Sequence, residues 1–226
     1  MSTGRGTILL VVLVLSAGVS MAQRVDIYSG LASGSIWADF RGNGDASVMA
    51  IIGRAPGGPT EVVIPTGAVF HVAAFNDQGL QQYGGGGNRG GGGGLNQRQA
   101  MSGSSTTLVS LAMNPSATVL LPAVCMDYGR PEPRLTDRMA IAPPNEWQTS
   151  LAVAIEASRP SQPVIQLAMW AACSNVPPVA VDRYLTTLAR ARTPVTSPRD
   201  ELLAAVWDLL EAAGFDPSSM KMFQAG

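Results

Sequence analysis

Cys125 and Gln166 are the residues whose types and surroundings best suit a covalent reaction. Cys125 follows the apolar run of residues 117–124, where a strand is predicted to end, and Gln166 lies in an apolar, helix-like segment at residues 164–174. A thiol held against a glutamine side-chain amide can attack its carbonyl and expel ammonia, which leaves an internal thioester. An amine or hydroxyl of a partner can then displace the thiol and become covalently attached.

Neighbouring residues have types that could protect such a bond. Trp170 follows Gln166 by one helical turn on the same face, so we expect its indole to cover the bond and limit hydrolysis. Met126, Asp127 and Tyr128 come directly after Cys125, and we expect them to support the site. In the simpler interpretation Gln166 and Trp170 are ordinary helix residues, with Trp170 in the core.

Cys173 is a rival partner for Cys125, because the chain has two cysteines and a pair in an oxidising compartment usually forms a disulfide. Cys173 lies two helical turns after Gln166 on nearly the same face, so a strand end that reaches one residue is near the other. Three states of Cys125 therefore fit the sequence: a thioester with Gln166, a disulfide with Cys173, or a buried free thiol.

Other chemistry has little support in the sequence. His71 is the only histidine, no Gly-x-Ser-x-Gly motif is present, and His and Cys do not occur at metal-ligand spacing. The glycine-rich residues 84–94 lack the Lys-Ser/Thr of a phosphate-binding loop. We therefore expect no metal, no cofactor and no turning-over enzyme, but at most a covalent binder that reacts once.

Composition and the first residues indicate where the protein acts. A net charge of −1 with 14% charged residues argues against nucleic-acid binding. Residues 1–22 resemble a signal peptide, with Arg5 before the apolar residues 8–15 and small residues at Ser20 and Ala22. We predict cleavage before Gln23 and a secreted, cell-surface or periplasmic location. Membrane contact is expected only through this segment, if it is not cleaved.

Residues 23–126 have the pattern of β structure. Strands are predicted at residues 25–28, and in consecutive pairs at 35–40 with 47–52, at 61–64 with 68–73, and at 106–113 with 117–124. Short strands at this spacing predict an antiparallel β-sandwich. Residues 84–94 are nearly all glycine and predict a mobile loop within this region.

Residues 127–226 change to a helical period and are expected to pack on the β region. Helices are predicted at residues 147–158 with Asn145 as the N-cap, at 164–174, at 179–191, and from Pro198 as the first helical residue to a stop at Gly214. Strands first and helices after predict an α+β fold.

The two chemical segments resemble the motifs of thioester domains from bacterial surface adhesins. Those domains carry a short motif of aromatic-or-Leu, Cys and hydrophobic, which Cys125 and Met126 match while Val124 departs from it. Their second motif is hydrophobic, Gln, two variable residues, hydrophobic and Trp, and Ile165-Gln166-Leu167-Ala168-Met169-Trp170 matches every position. The resemblance implies a Cys125–Gln166 bond and covalent adhesion to a host or surface ligand. The run of residues 121–133 is also similar to uncharacterised exported bacterial proteins.

Two classes of function follow. In the first, the protein is an exported adhesion-type module that attaches covalently to an amine or hydroxyl group of an extracellular protein or surface ligand. In the second, it is a noncovalent structural or interaction module of the cell envelope, stapled by a Cys125–Cys173 disulfide.

Overall fold

A computed structural model describes residues 23–73, 98–191 and 198–224 of the chain. The predicted signal peptide and the glycine-rich residues 84–94 lie outside the described residues. The β elements, with one short helix among them, occupy the first part of the chain: β1 Arg24–Asp26, α1 Ile27–Ala32, β2 Ile36–Gly42, β3 Ser47–Arg54, β4 Glu61–Ile64, β5 Val69–Val72, β6 Met101–Gly103, β7 Thr107–Ser110, β8 Ser116–Cys125 and β9 Arg138–Ala142.

Four longer helices follow the strands, so the predicted α+β class is confirmed. They are α2 Glu146–Ser158, α3 Gln162–Ser174, α4 Pro178–Arg190 and α5 Arg199–Ala212, with two short 3-10 turns at Pro217–Ser219 and Lys221–Phe223. The predicted cap of α2 is present as a capping box, in which Asn145 and Gln148 exchange side-chain-to-backbone hydrogen bonds. Pro198 stands at the N-cap of α5, one position before the predicted one.

The predicted sandwich is wrong, because six strands close into a barrel in the order β2-β3-β8-β6-β5-β9. A separate three-stranded sheet has the order β1-β4-β7. The barrel closes through β9, which pairs with β2 at Phe40↔Met139 and with β5 at Phe70↔Ile141. The sequence did not reveal a strand at β9, and without it the sheet has no means of closing on itself.

One predicted strand pair is confirmed and two are wrong. The β2–β3 hairpin forms as expected, with Asp39 opposite Ile51. β4 pairs with β1 and β7 instead of β5, and β8 pairs with β3 and β6 instead of β7. The predicted strand at residues 25–28 ends at Asp26. The Asp26 side chain accepts a hydrogen bond of 2.9 Å from the Ser29 amide and so caps α1, which begins at the next residue.

Two buried clusters form the core. The first fills the barrel with inward-facing residues of alternating strand positions, such as Val48, Ala50 and Ile52 on β3. The second lies between the outer surface of the barrel and the helices, and includes Val69, Val124 and the buried residues of α3. Residues 164–171 of α3 are all buried, so this helix is the central element of the helical layer. The packing of α3 on the barrel therefore brings together the two halves of the predicted site, Cys125 on β8 and Gln166 on α3.

Candidate functional site

Helix α3 covers the part of β8 that has no neighbouring strand on one side. The pairing of β8 with β3 ends at Ser47↔Pro122, while β8 stays paired with β6 as far as Met101↔Cys125. Beyond Pro122 the amide of Ala123 donates to the Ala46 carbonyl at 3.0 Å. The Nε2 of Gln162, in the first turn of α3, donates to the Ala123 carbonyl at 2.9 Å. Side chains of α3 thus take over the hydrogen bonds of the missing strand.

Gln166, one turn further along α3, binds both backbone groups of Cys125. The Cys125 amide donates to Gln166 Oε1 at 3.0 Å, and Gln166 Nε2 donates to the Cys125 carbonyl at 2.7 Å. Cys125 is 1% exposed and Gln166 is 4% exposed. Because buried backbone groups without partners are costly, this amide stabilises the end of β8. The two residues that the motifs single out are therefore in direct contact.

The side chain of Cys125 faces the interior of the barrel. Its Sγ donates a weak hydrogen bond to the backbone carbonyl of Asp45, at 3.6 Å. Burial raises the pKa of the Cys125 thiol to about 12, and the nearby carboxylates of Asp45, Glu132 and Asp127 act in the same direction. The thiol is therefore protonated at neutral pH, and in the free form it is a weak nucleophile.

Aromatic rings surround Trp170 at this site. Tyr128 and Tyr184 each lie edge-to-face against its indole, with ring centroids 5.1 Å and 5.2 Å away. Trp170 is 9% exposed, and its Nε1 is buried without a hydrogen-bond partner. Burial, with the nearby Asp45 and Cys125, raises the pKa of Tyr184. The sequence did not point to Tyr184, because the helical period of α4 does not show that one of its residues reaches Trp170.

The residues after Cys125 fix the chain as it leaves β8. The Met126 amide donates to the Ala100 carbonyl at 2.9 Å, and the Ala100 amide donates to Asp127 Oδ2 at 3.1 Å. The Tyr128 amide donates to Ser174 Oγ at 3.3 Å, at the C-terminal end of α3. These contacts give Met126 and Asp127 a positioning role, while Tyr128 also contributes its ring to the aromatic cluster.

Cys173 does not bond to Cys125, and both cysteines are free thiols. Cys173 packs on the helical cluster and donates a weak hydrogen bond to Met169 Sδ at 3.6 Å, whereas Cys125 belongs to the barrel cluster. Burial raises the pKa of Cys173 to about 12, with a smaller contribution from Asp127. The structure therefore brings Gln166, and not Cys173, into hydrogen-bond contact with Cys125.

Comparisons with known proteins give no guide to the function of the site. The chain matches no protein-family model, no curated protein and no solved structure. Within the described residues, no group of three or more His, Cys, Asp or Glu could hold a metal ion. The same part of the chain contains no helix with the length and apolar character needed to cross a membrane.

Proposed function

We propose that this protein is a covalent binding module in which Cys125 and Gln166 form an internal thioester. An amine or hydroxyl of an extracellular protein or surface ligand opens the bond and becomes attached. The observation that carries the proposal is the double hydrogen bond between the Gln166 amide and the Cys125 backbone, in a fully buried setting. The module acts outside the cytoplasm, because residues 1–22 have the pattern of a signal peptide.

The reaction within the protein balances without any cofactor. Cys125 Sγ attacks Cδ of Gln166, the C–N bond breaks, and ammonia leaves with the proton that the thiol gives up. The Cys125 amide already donates to Oε1 of Gln166, so it is placed to stabilise the negative charge that develops on this oxygen. One hydrogen bond thus positions the amide and lowers the barrier to its cleavage.

Bond formation is expected to be slow. The thiol must leave the Asp45 carbonyl and turn toward Gln166, and its pKa of about 12 keeps the thiolate rare. A slow step is sufficient, because each chain forms this bond once. The Gln166 amide is bound to the backbone of the residue that carries the thiol, so once the thiol has turned, the two groups have a high effective concentration.

The cover over the site supports the persistence of a thioester. Trp170, one helical turn after Gln166, is buried with two tyrosine rings against it, an arrangement that would keep bulk water from the helical side of the site. Tyr128 and Tyr184 are only partly buried, so two of the three rings of the cover contact solvent.

The same hydrogen bonds favour a second function, a noncovalent structural or interaction module of the cell envelope. In that case Gln166 serves only to complete the hydrogen bonds of β8, and the neutral Cys125 thiol stays on Asp45. Free thiols at Cys125 and Cys173 mean that such a module would be held by packing and hydrogen bonds, without the predicted disulfide.

The mass of the purified, intact protein distinguishes the two functions. A thioester gives a mass lower by one ammonia, and incubation with methylamine converts the protein to an adduct. The control is Cys125→Ala, which removes the nucleophile but keeps both backbone hydrogen bonds to Gln166, so it should have its full mass and form no adduct. Full mass of the wild-type protein, without a methylamine adduct, would establish the noncovalent function instead.

A further inference from the structure

An open cleft of about 320 Å³ lies beside the turn between β2 and β3. One wall is the β2–β3 turn at Asn43 and Gly44, and the other is the segment 131–135. Arg98 also lines the cleft. A hydrogen bond of 3.0 Å from the Gly44 amide to the Pro133 carbonyl joins the walls. The residues that line this cleft take no part in the formation of the thioester.

The position of Arg98 is fixed by two contacts. Its Nε pairs with Asp137 at 3.3 Å, and its NH1 donates to the Glu132 carbonyl at 3.3 Å. Its charge is therefore already matched by Asp137. Pro133 packs so closely on Gly42 that a Cβ at that position would collide with it. The cleft is thus a fixed part of the fold, with Glu132 and Arg134 as its other charged residues.

The cleft adjoins the reactive pair. Gly44 in its wall is followed by Asp45, whose carbonyl accepts the hydrogen bond from Cys125 Sγ. On the opposite wall, the Glu132 carboxylate is close enough to help raise the pKa of the Cys125 thiol. The cleft therefore borders the segment that contacts the Cys125 thiol.

We propose that this cleft is where the attacking group binds, and that Glu132 receives it as a cationic amine. The inference rests on the proposed thioester and adds the chemical class of the ligand group that reacts fastest. The Asp45 charge repels the Glu132 carboxylate. No ion pair forms at Glu132 or Asp45 in the described part of the chain. An ammonium group bound there offsets that repulsion, which a neutral hydroxyl does not.

Burial and the Asp45 charge raise the pKa of Glu132, in agreement with a carboxylate that lacks a cationic partner. In the reaction, the bound ammonium group first releases one proton to the solvent, and the neutral nitrogen attacks the acyl carbon of Gln166. The C–S bond breaks, an amide bond forms, and the second proton of the nitrogen passes to Cys125 Sγ. The high pKa of the buried thiol favours this final transfer, so the displaced sulfur ends as a neutral thiol.

The test compares cadaverine, which is cationic, with hydroxylamine, which is mostly uncharged at neutral pH. Adduct formation is followed by intact mass for the wild-type protein, Glu132→Gln and Arg134→Gln. Glu132→Gln should keep the ammonia deficit but lose about tenfold in rate with cadaverine, while its hydroxylamine rate stays unchanged. Arg134→Gln is the matched control, because removing a positive charge from the same cleft should not slow cadaverine.

The possible outcomes distinguish a failure of the Glu132 role from a failure of the thioester itself. If Glu132→Gln reacts with cadaverine at the wild-type rate, or slows equally with both nucleophiles, the role of Glu132 is overturned while the thioester stands. A slower cadaverine reaction of Arg134→Gln also overturns it, because that loss would reflect general damage to the cleft. If the wild-type protein has its full mass and forms no adduct, the thioester itself fails, and the amine site fails with it.

Discussion

Gln166 stands beside Cys125 as a substitute for a neighbouring β-strand. Its amide accepts from the Cys125 amide and donates to the Cys125 carbonyl, which is the pair of hydrogen bonds that an antiparallel strand would supply. Gln162 does the same for the carbonyl of Ala123, two residues earlier on β8. A short sequence motif on a helix therefore serves the stability of the sheet as well as any chemistry.

Replacement of Gln166 should destabilise the fold strongly. Gln166→Leu leaves two buried backbone groups of Cys125 without partners, so we expect a loss of about 3 kcal/mol in the free energy of unfolding. Gln162→Leu is the matched control on the same helix face, and because it leaves only the Ala123 carbonyl unpaired, it should cost about 1 kcal/mol. Urea denaturation measures both. Equal losses would show that the Gln166 amide does not act as a strand substitute.

The number of reactive thiols should depend on treatment with an amine. If Cys125 is held in a thioester, rapid denaturation at mildly acidic pH followed by a thiol assay detects only Cys173. After methylamine treatment the same assay should detect both cysteines, because the amine releases the Cys125 sulfur. The Cys125→Ala variant gives one thiol under both conditions and serves as the control. Two thiols before methylamine would argue for a free Cys125.

Alkylation of Cys173 should rise steeply with pH. Burial raises its pKa to about 12, and only the thiolate reacts, so the rate with iodoacetamide should increase about tenfold for each pH unit between roughly pH 7 and pH 10. The experiment uses native Cys125→Ala, in which Cys173 is the remaining thiol. A rate that stops rising near the ordinary thiol pKa would mean that the Cys173 sulfur is solvated.

The ionisation of Glu156 should make the free energy of unfolding depend on pH in the acidic range. Hydrogen bonds from Thr66 and then Thr106 lower its pKa below the ordinary value of 4.5. A carboxyl with a lowered folded-state pKa adds stability above its unfolded-state pKa and loses it as the pH falls through the folded-state value. The advantage of wild type over Glu156→Gln should therefore be constant near neutral pH and shrink below pH 4.5.

Glu156 is exposed, so solvent screens the charge and the advantage should stay under about 1 kcal/mol. Thermal unfolding of wild type and Glu156→Gln at several pH values measures it. A difference that grows as the pH falls would contradict the assigned direction of the pKa shift.

Gly53 and Trp37 should behave as a coupled pair. The Trp37 indole lies over Gly53 on the outer surface of the barrel, where an added Cβ would collide with the ring. Gly53→Ala should cost about 1–3 kcal/mol of stability and change the tryptophan fluorescence. In a Trp37→Ala background the same substitution has space, so its cost should disappear. An unchanged cost in that background would locate the strain elsewhere.

Local sequence patterns predicted the positions of helices and strands better than they predicted which strands pair. The helical periods located α2 to α5 within a few residues, and the short turn between β2 and β3 identified their hairpin. The barrel was not predictable from these patterns, because alternation shows which residues of a strand face the core but not which distant strand lies beside it. β8 illustrates this, since the nearest strand in the chain, β7, belongs to another sheet.

The sequence motifs predicted which two residues would meet, while their role as a thioester stays a prediction. The motifs identified Cys125 and Gln166, and the structure brings these two residues together. The part played by the Cys125 backbone, the Asp45 carbonyl and Tyr184 depends on contacts between segments far apart in sequence, which residue types and spacing do not encode. The choice between Gln166 and Cys173 as the neighbour of Cys125 also required the packing of α3.

The closure of the barrel through Phe40 and Met139 has a kinetic consequence. β2 has no second partner until β9 has been synthesised, and the end of β8 lacks its hydrogen bonds until α3 docks. Chain segments this distant must meet before their contacts add stability, so we expect a slow refolding rate with a high entropic barrier. In the incompletely folded chain the edges of β2 and β5 are unpaired, which makes that species the one most prone to aggregate.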